Sequence, residues 1–249
     1  MLDVERYKLI LAYDGAAFAG SQRQAKRRTV QGELENALRQ LGWPGRTVTL
    51  AGRTDTGVHA SGQVAAFDFE WNHGSQRLLA ALNANLPADM AVRDVELAGA
   101  TFNPRFDAAS RCYRYCLFCG NVRDPLSEKM AWRVWPAFDG EALLEAAGVF
   151  LGRHDFSAFG SPSREQASTV RTVMTSQWSG SDAGWQYEVR ADAFLYRMVR
   201  RLVFVQVAVA QGRCLKETVV KALERPQVKN EIPAGLAPAH GLTLVEVTY

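Results

Sequence analysis

The sequence predicts an α+β protein of two βαββαβ-like domains, with largely antiparallel sheets packed side by side and an active cleft at their junction. Three observations lead there. Apolar residues alternate with period two in short segments bounded by turn residues. Those segments come in adjacent pairs separated by stretches of helical periodicity, the order expected of an antiparallel α+β arrangement. The chain has 249 residues, 47 % apolar and 22 % charged, which is enough for two modest cores.

Residues 7–13 alternate and predict the first strand. A polar loop runs on through Arg28, and Thr29 is placed to cap a helix over 30–41 with the stripe Val30, Leu34, Ala37, Leu38 and Leu41. Strands are expected at 48–51 and 63–69, on either side of a glycine-flanked turn. Ser75 is expected to cap a second helix with Leu78, Leu79, Leu82 and Leu86 inward, followed by a strand at 92–97. The second half repeats this order without visible sequence similarity. It has a strand at 111–118 and a helix at 140–151 with Leu143, Leu144, Ala147 and Leu151 inward. Strands at 170–178 and 185–191 flank a Gly/Ser/Asp turn. A long helix over 194–211, a shorter one over 215–224 and a closing strand at 242–247 complete the chain. Asn103-Pro104 breaks regular structure, which sets the boundary near 102–105 and the domains at 1–104 and 105–249. Ligand sites favour such junctions.

Composition narrows the class. No apolar run approaches the length of a membrane span, since 199–210 is broken by Arg200, Arg201 and Gln206. The N-terminal run Met1-Leu2-Asp3-Val4-Glu5-Arg6 lacks the apolar core of a secretory signal, so a cytoplasmic protein is expected. Cys112, Cys116 and Cys119 lie close together, but their spacing matches no common zinc-ligand pair and no nearby His completes a set of four. No metal and no disulfide is expected. The net charge is only +3, with 29 basic and 26 acidic residues. Basic residues nevertheless crowd two places, Arg23, Lys26, Arg27 and Arg28, and Arg197, Arg200 and Arg201. Such clusters are solvated faces or contacts to a phosphate backbone.

Chemistry concentrates in Gly52-Arg53-Thr54-Asp55-Thr56-Gly57-Val58-His59-Ala60. A structural turn needs its glycines and one Asp; a guanidinium two residues before the carboxylate exceeds that need. Two distant elements join it. In Arg111-Cys112-Tyr113-Arg114-Tyr115 the two tyrosines share a strand face with Arg111. Phe194-Leu195-Tyr196-Arg197-Met198-Val199-Arg200-Arg201 opens an otherwise apolar helix. There Arg197 and Arg201 read as surface residues four apart, whereas Arg200 sits beside Val199 and Leu202 and calls for a carboxylate partner.

These residues resemble the TruA family of tRNA pseudouridine synthases over nearly the whole chain. The Gly52 to Ala60 run is similar to the signature around the family's catalytic aspartate, which implies that role for Asp55. The Arg-x-Tyr-x-Tyr strand is similar to the motif whose first tyrosine contacts the target base, implying Tyr113. Met198-Val199-Arg200 resembles the motif whose arginine pairs with the aspartate, implying Arg200. Weaker similarities lie at Phe18-Ala19-Gly20-Ser21-Gln22-Arg23-Gln24, Thr29-Val30-Gln31-Gly32, Arg105-Phe106-Asp107-Ala108, His154-Asp155-Phe156 and Gly241-Leu242; the last implies Leu242 at the pocket. The chain departs from the family where Ser21 replaces a Trp, where Arg201 and Phe204 replace an Asn and a Gly, and where Asn103-Pro104 replaces His-Ala. The resemblance also implies a homodimer with tRNA contacting both subunits, and isomerisation of uridine at positions 38, 39 and 40 of the anticodon stem-loop.

That reaction breaks a C–N glycosidic bond and rejoins the same uracil through carbon, so no cofactor or metal is required. Asp55 would serve as nucleophile, adding to the base or working at the sugar, with an adjacent Arg favouring the ionised carboxylate. The extruded base can be received on an aromatic face such as Tyr113, which stacks or also accepts the C5 proton. Arg53 would hold a phosphate or open a path for the flipped nucleotide. His59 serves the turn or the RNA. Arg23, Lys26, Arg27, Arg28, Arg105 and Arg114 are candidates for the tRNA backbone. The competing readings are an RNA-binding module without catalysis, which needs no carboxylate, and an Asp-dependent hydrolase, which wants a second acid or a metal.

Overall fold

The computed structural model describes residues 4–162, 166–225 and 230–249; residues 1–3 of the N-terminal run lie outside them. The chain divides into two compact units, Met1–Ala109 with Thr243–Tyr249, and Ser110–Leu242. Its mixed helices and mostly antiparallel strands are those of an α+β fold.

In the first unit, strand β1 (Glu5–Tyr13) buries every second side chain, Tyr7, Leu9, Leu11 and Tyr13, as the period of a half-buried strand requires. Helix α1 (Val30–Gln40) follows, with the Thr29 hydroxyl accepting from Gly32 N at 3.2 Å; the expected cap is the observed one. The two-residue strand β2 (Thr49–Leu50) and strand β3 (His59–Phe69) pair antiparallel. Helix α2 (Ser75–Asn85) and strand β4 (Met90–Leu97) close this part of the chain. Strand β1 lies between β3 and β4, antiparallel to both, with Leu9 opposite Ala65 on one side and Val95 on the other. Ser75 is not the cap expected of it. It is the first helical residue, and Gly74, at φ 75°, occupies the cap position without a side-chain bond.

The second unit opens with strand β5 (Ser110–Cys119), and the short strand β6 (Trp132–Val134) runs parallel to it. Helix α3 (Gly140–Gly148), strand β7 (Gly152–Asp155), strand β8 (Val170–Ser181) and strand β9 (Gly184–Ala191) come next. Strands β5, β9, β8 and β7 form a continuous antiparallel ladder, with Tyr113 opposite Val189 and Tyr115 opposite Tyr187. Helix α3 packs on β8 and on helix α4 (Met198–Ala210); helix α5 (Lys216–Glu224) follows. Strand β10 (Leu242–Thr248) then returns to the first unit, where Thr243 and Leu244 lie parallel to His59 and Ala60 of β3.

Two expectations fail in the second unit. Residues 194–197 are not helical: Tyr196 bridges to Ser161, and Arg197 adopts left-handed backbone at φ 62°, so α4 starts only at Met198. Helix α3 ends at Gly148 and buries Leu143, Ala146 and Ala147, whereas Leu144 and Leu151 are 46 % and 45 % exposed. Position 144 is a hundred-degree step around the helix from 143, and the termination at Gly148 turns 151 away. Leu143→Ala should therefore cost roughly 2–5 kcal/mol, while Leu144→Ala stays within about 0.5 kcal/mol of wild type. Paired urea unfolding curves measure this difference.

Candidate active site

Asp55 is half-buried in the connection from β2 to β3. The chain turns after it, with Val58 N donating to Asp55 O at 3.1 Å. Before it, the backbone is gripped by buried side chains. Thr54 and Ser21 bond reciprocally: Ser21 N donates to Thr54 O at 3.1 Å, and Thr54 N donates to Ser21 Oγ at 2.8 Å. The Thr54 hydroxyl lies 2.9 Å from the Tyr13 hydroxyl. Gln63, in the middle of β3, accepts from Gly52 N at 3.3 Å and donates to Gly52 O at 2.9 Å, with Tyr13 Oη 3.4 Å away. Ser21 and Gln63 are fully buried. Ser21 thus faces inward and holds the loop.

His59 is buried at the start of β3. Gly15 N donates to its Nδ1 at 3.0 Å. Asp14 Oδ1 lies 3.1 Å from the same nitrogen, an ion pair only when the ring is protonated. The turn role of His59 is therefore visible in the structure. Gly15 itself admits no side chain, because a Cβ there would drive into the Val58 carbonyl.

The predicted basic residues of the first unit divide by environment. Arg28 makes a two-pronged bond to Asp89 at 2.6 and 2.8 Å, reaches Glu33 at 2.7 Å, and lies over the Phe18 ring. Arg23 bonds Glu35, a fully buried carboxylate that also accepts from Val48 N and Gln31. Both guanidinium groups are engaged within the fold. Lys26, Arg27 and Arg53 are exposed and have no hydrogen-bond or ion-pair partner among the described residues. Arg105 stands over the exposed Phe106 ring.

In the second unit, Tyr113 on β5 is 9 % exposed, its ring edge-on to Phe194 at 5.2 Å. Arg114, on the opposite strand face, is 3.9 Å from Glu188. Arg200, in the first turn of α4, donates from Nε to Ala237 O at 2.8 Å, and its own carbonyl accepts from Ala237 N. Burial pushes the Tyr115 phenol well up, and the nearby Arg200 charge offsets part of that. The Tyr115 hydroxyl donates to Pro238 O at 2.9 Å, and its ring packs against Gly241, the residue before Leu242. Tyr115 thereby connects Arg200 to the segment that ends at the buried Leu242. Arg201 is not the surface residue expected. It is half-buried, it donates to the carbonyls of Pro233 and Gly235, and burial lowers its pKa. Phe204 covers the same segment, packed so closely on Gly235 that a Cβ there would overlap its ring.

The family model described as tRNA pseudouridine synthase matches residues 9–107 and 146–249. A tRNA pseudouridine synthase A of Methylacidiphilum infernorum is 40 % identical over 249 residues, covering 100 % of this chain and 97 % of the relative. The chain belongs to the tRNA pseudouridine synthase family. Among further relatives, the tRNA pseudouridine synthase A of Chloroflexus aurantiacus is 40 % identical, over 97 % of this chain and 87 % of its own. That of a Geobacter species is 36 % identical, over 97 % and 98 %. No helix among the described residues is long and apolar enough to cross a membrane, and none of their His, Cys, Asp and Glu residues form a group of three suited to a metal.

Sequence reasoning did not single out Tyr13, Thr54 and Gln63 around Asp55. A Gln inside an otherwise apolar strand was the available signal, since a buried carboxamide must find partners. The Arg28–Asp89 pair yields a pH prediction. The Arg28 guanidinium holds the Asp89 carboxyl below its usual range, so the pair stabilises the fold fully above the unfolded value near ~3.9 and loses that effect as pH falls through the lower folded value. The stability gap between wild type and Asp89→Asn, followed by chemical denaturation, should shrink from about pH 6 to about pH 3.

Proposed function

We propose that this member of the family isomerises uridines 38, 39 and 40 in the anticodon arm of tRNA, with Asp55 as the nucleophile. Conversion of uridine to pseudouridine in tRNA is the family's reaction. The observation that carries the residue assignment is the Asp55 loop itself: a half-buried carboxylate on backbone fixed by the buried side chains of Ser21, Tyr13 and Gln63. A binding module would have no use for such a carboxylate. In the reaction the C1′–N1 bond breaks, a C1′–C5 bond forms, the proton on C5 leaves to solvent and N1 takes one up. The parts of Tyr113, receiving the flipped base on its ring, and of Arg200 in this reading are those that the motif resemblance implies. The unpaired, exposed Lys26, Arg27 and Arg53 are basic side chains free to meet phosphate; Leu242, Arg105 and Arg114 complete the substrate contacts. The protein works as a cytoplasmic homodimer, a reading supported by the family resemblance.

Incubation with tRNA carrying tritium at uracil C5 tests this. The expected outcome is release of tritium with the RNA chain intact; tight binding without release supports a binding module, and strand cleavage a hydrolase. Asp55→Ala should abolish release and leave tRNA affinity within about threefold, because phosphate contacts dominate binding. Tyr113→Phe keeps the ring and removes the hydroxyl: retained turnover assigns the residue to stacking, and a lost rate at unchanged affinity assigns it to proton transfer.

A further inference from the structure

The polar side chains beneath the Asp55 loop exceed what a turn demands. Gly52 has both its amide and its carbonyl bound to one carboxamide, that of Gln63. Thr54 has both backbone groups bound to Ser21 and its hydroxyl within bonding distance of Tyr13. Tyr13 in turn lies against Gln63. Three elements, β1, β3 and the segment before α1, therefore converge on the two residues flanking Arg53, immediately before Asp55. All four side chains are buried, so each polar atom depends on the others to replace water, and such a network holds a single geometry.

We propose that Gln63, Tyr13 and Ser21 are positioning residues that fix the Asp55 carboxylate in its reactive orientation. This rests on the reading of Asp55 as the nucleophile. A carboxylate attacking a flipped nucleoside must meet its carbon in near-attack geometry, and displacement by about 1 Å can lower the rate about a hundredfold. The network sets the backbone that aims Asp55 and lies in the buried interior of the first unit, so its loss acts on rate and not on RNA affinity. Ser21 contributes through its hydroxyl, which takes the Thr54 amide at 2.8 Å.

The test compares single-turnover tritium release and tRNA affinity for wild type, Tyr13→Phe, Ser21→Ala, Gln63→Glu and Asp55→Ala, with melting temperature as the check on folding. Tyr13→Phe and Ser21→Ala should slow release about tenfold to a hundredfold and leave the Kd within about twofold. Gln63→Glu adds a pH readout. Burial raises a carboxyl's pKa; protonated, the new side chain can donate to Gly52 O as the carboxamide does, and ionised, it repels that oxygen. Its rate should fall with rising pH through this raised value, in a window where the wild-type rate holds level. Folded variants with wild-type rates, rates that fall only in step with affinity, or a Gln63→Glu profile parallel to wild type would each overturn the proposal. If a hydroxyl deletion does not fold, the Gln63→Glu profile decides alone. Turnover by Asp55→Ala would defeat the nucleophile reading itself, whereas an inactive Asp55→Ala beside fully active Tyr13→Phe and Ser21→Ala defeats only the positioning role.

Discussion

A single buried carboxamide ties the loop before Asp55 to the sheet. Gln63 binds both backbone groups of Gly52 from the middle of β3, and the loop has no regular structure that could satisfy them otherwise. Unpaired backbone groups in a buried setting are costly, so the loop's path follows from the strand's register. A slip of one residue would carry Gln63 to the other face of β3, and the Tyr13 and Ser21 bonds would lose their partner loop with it. The His59 ring under Gly15 serves the same end from the far side of the turn.

The second unit solves a comparable problem with charge. Arg200 and Arg201 leave the first turn of α4 and both bind carbonyls of the 233–237 segment. Phe204, one turn further along, seats on Gly235 and stacks with Trp132. Arg201 and Phe204 hold this one stretch of chain together. That stretch leads through Pro238, bonded to Tyr115, to Leu242, so the grip reaches the start of β10.

Much of the fold was legible because local signals and burial agreed. The Thr29 cap, the alternation in β1 and the β8–β9 hairpin each follow from residue type and period. The misread elements failed for physical reasons. Arg197 sits in left-handed backbone that a non-glycine residue seldom adopts, next to the Tyr196–Ser161 bridge; helical periodicity at 194–197 could not reveal that. Ser75 has capping chemistry, but Gly74 takes the cap position. The charge cluster at 23–28 looked uniform in sequence, yet Arg23 and Arg28 face Glu35 and Asp89, and Lys26 and Arg27 do not.

By itself, the sequence determined the fold class and the family, because periodicity is local and the motifs are read residue by residue. The tertiary structure decided which polar residues hold the loop before Asp55. Gln63 and Tyr13, 50 residues apart in the chain, meet where β1 and β3 pair, and Ser21 joins them through Thr54. It also decided that β10 returns beside β3 to complete the first unit's sheet. Both outcomes depend on contacts between distant segments, whose free energy no single segment carries.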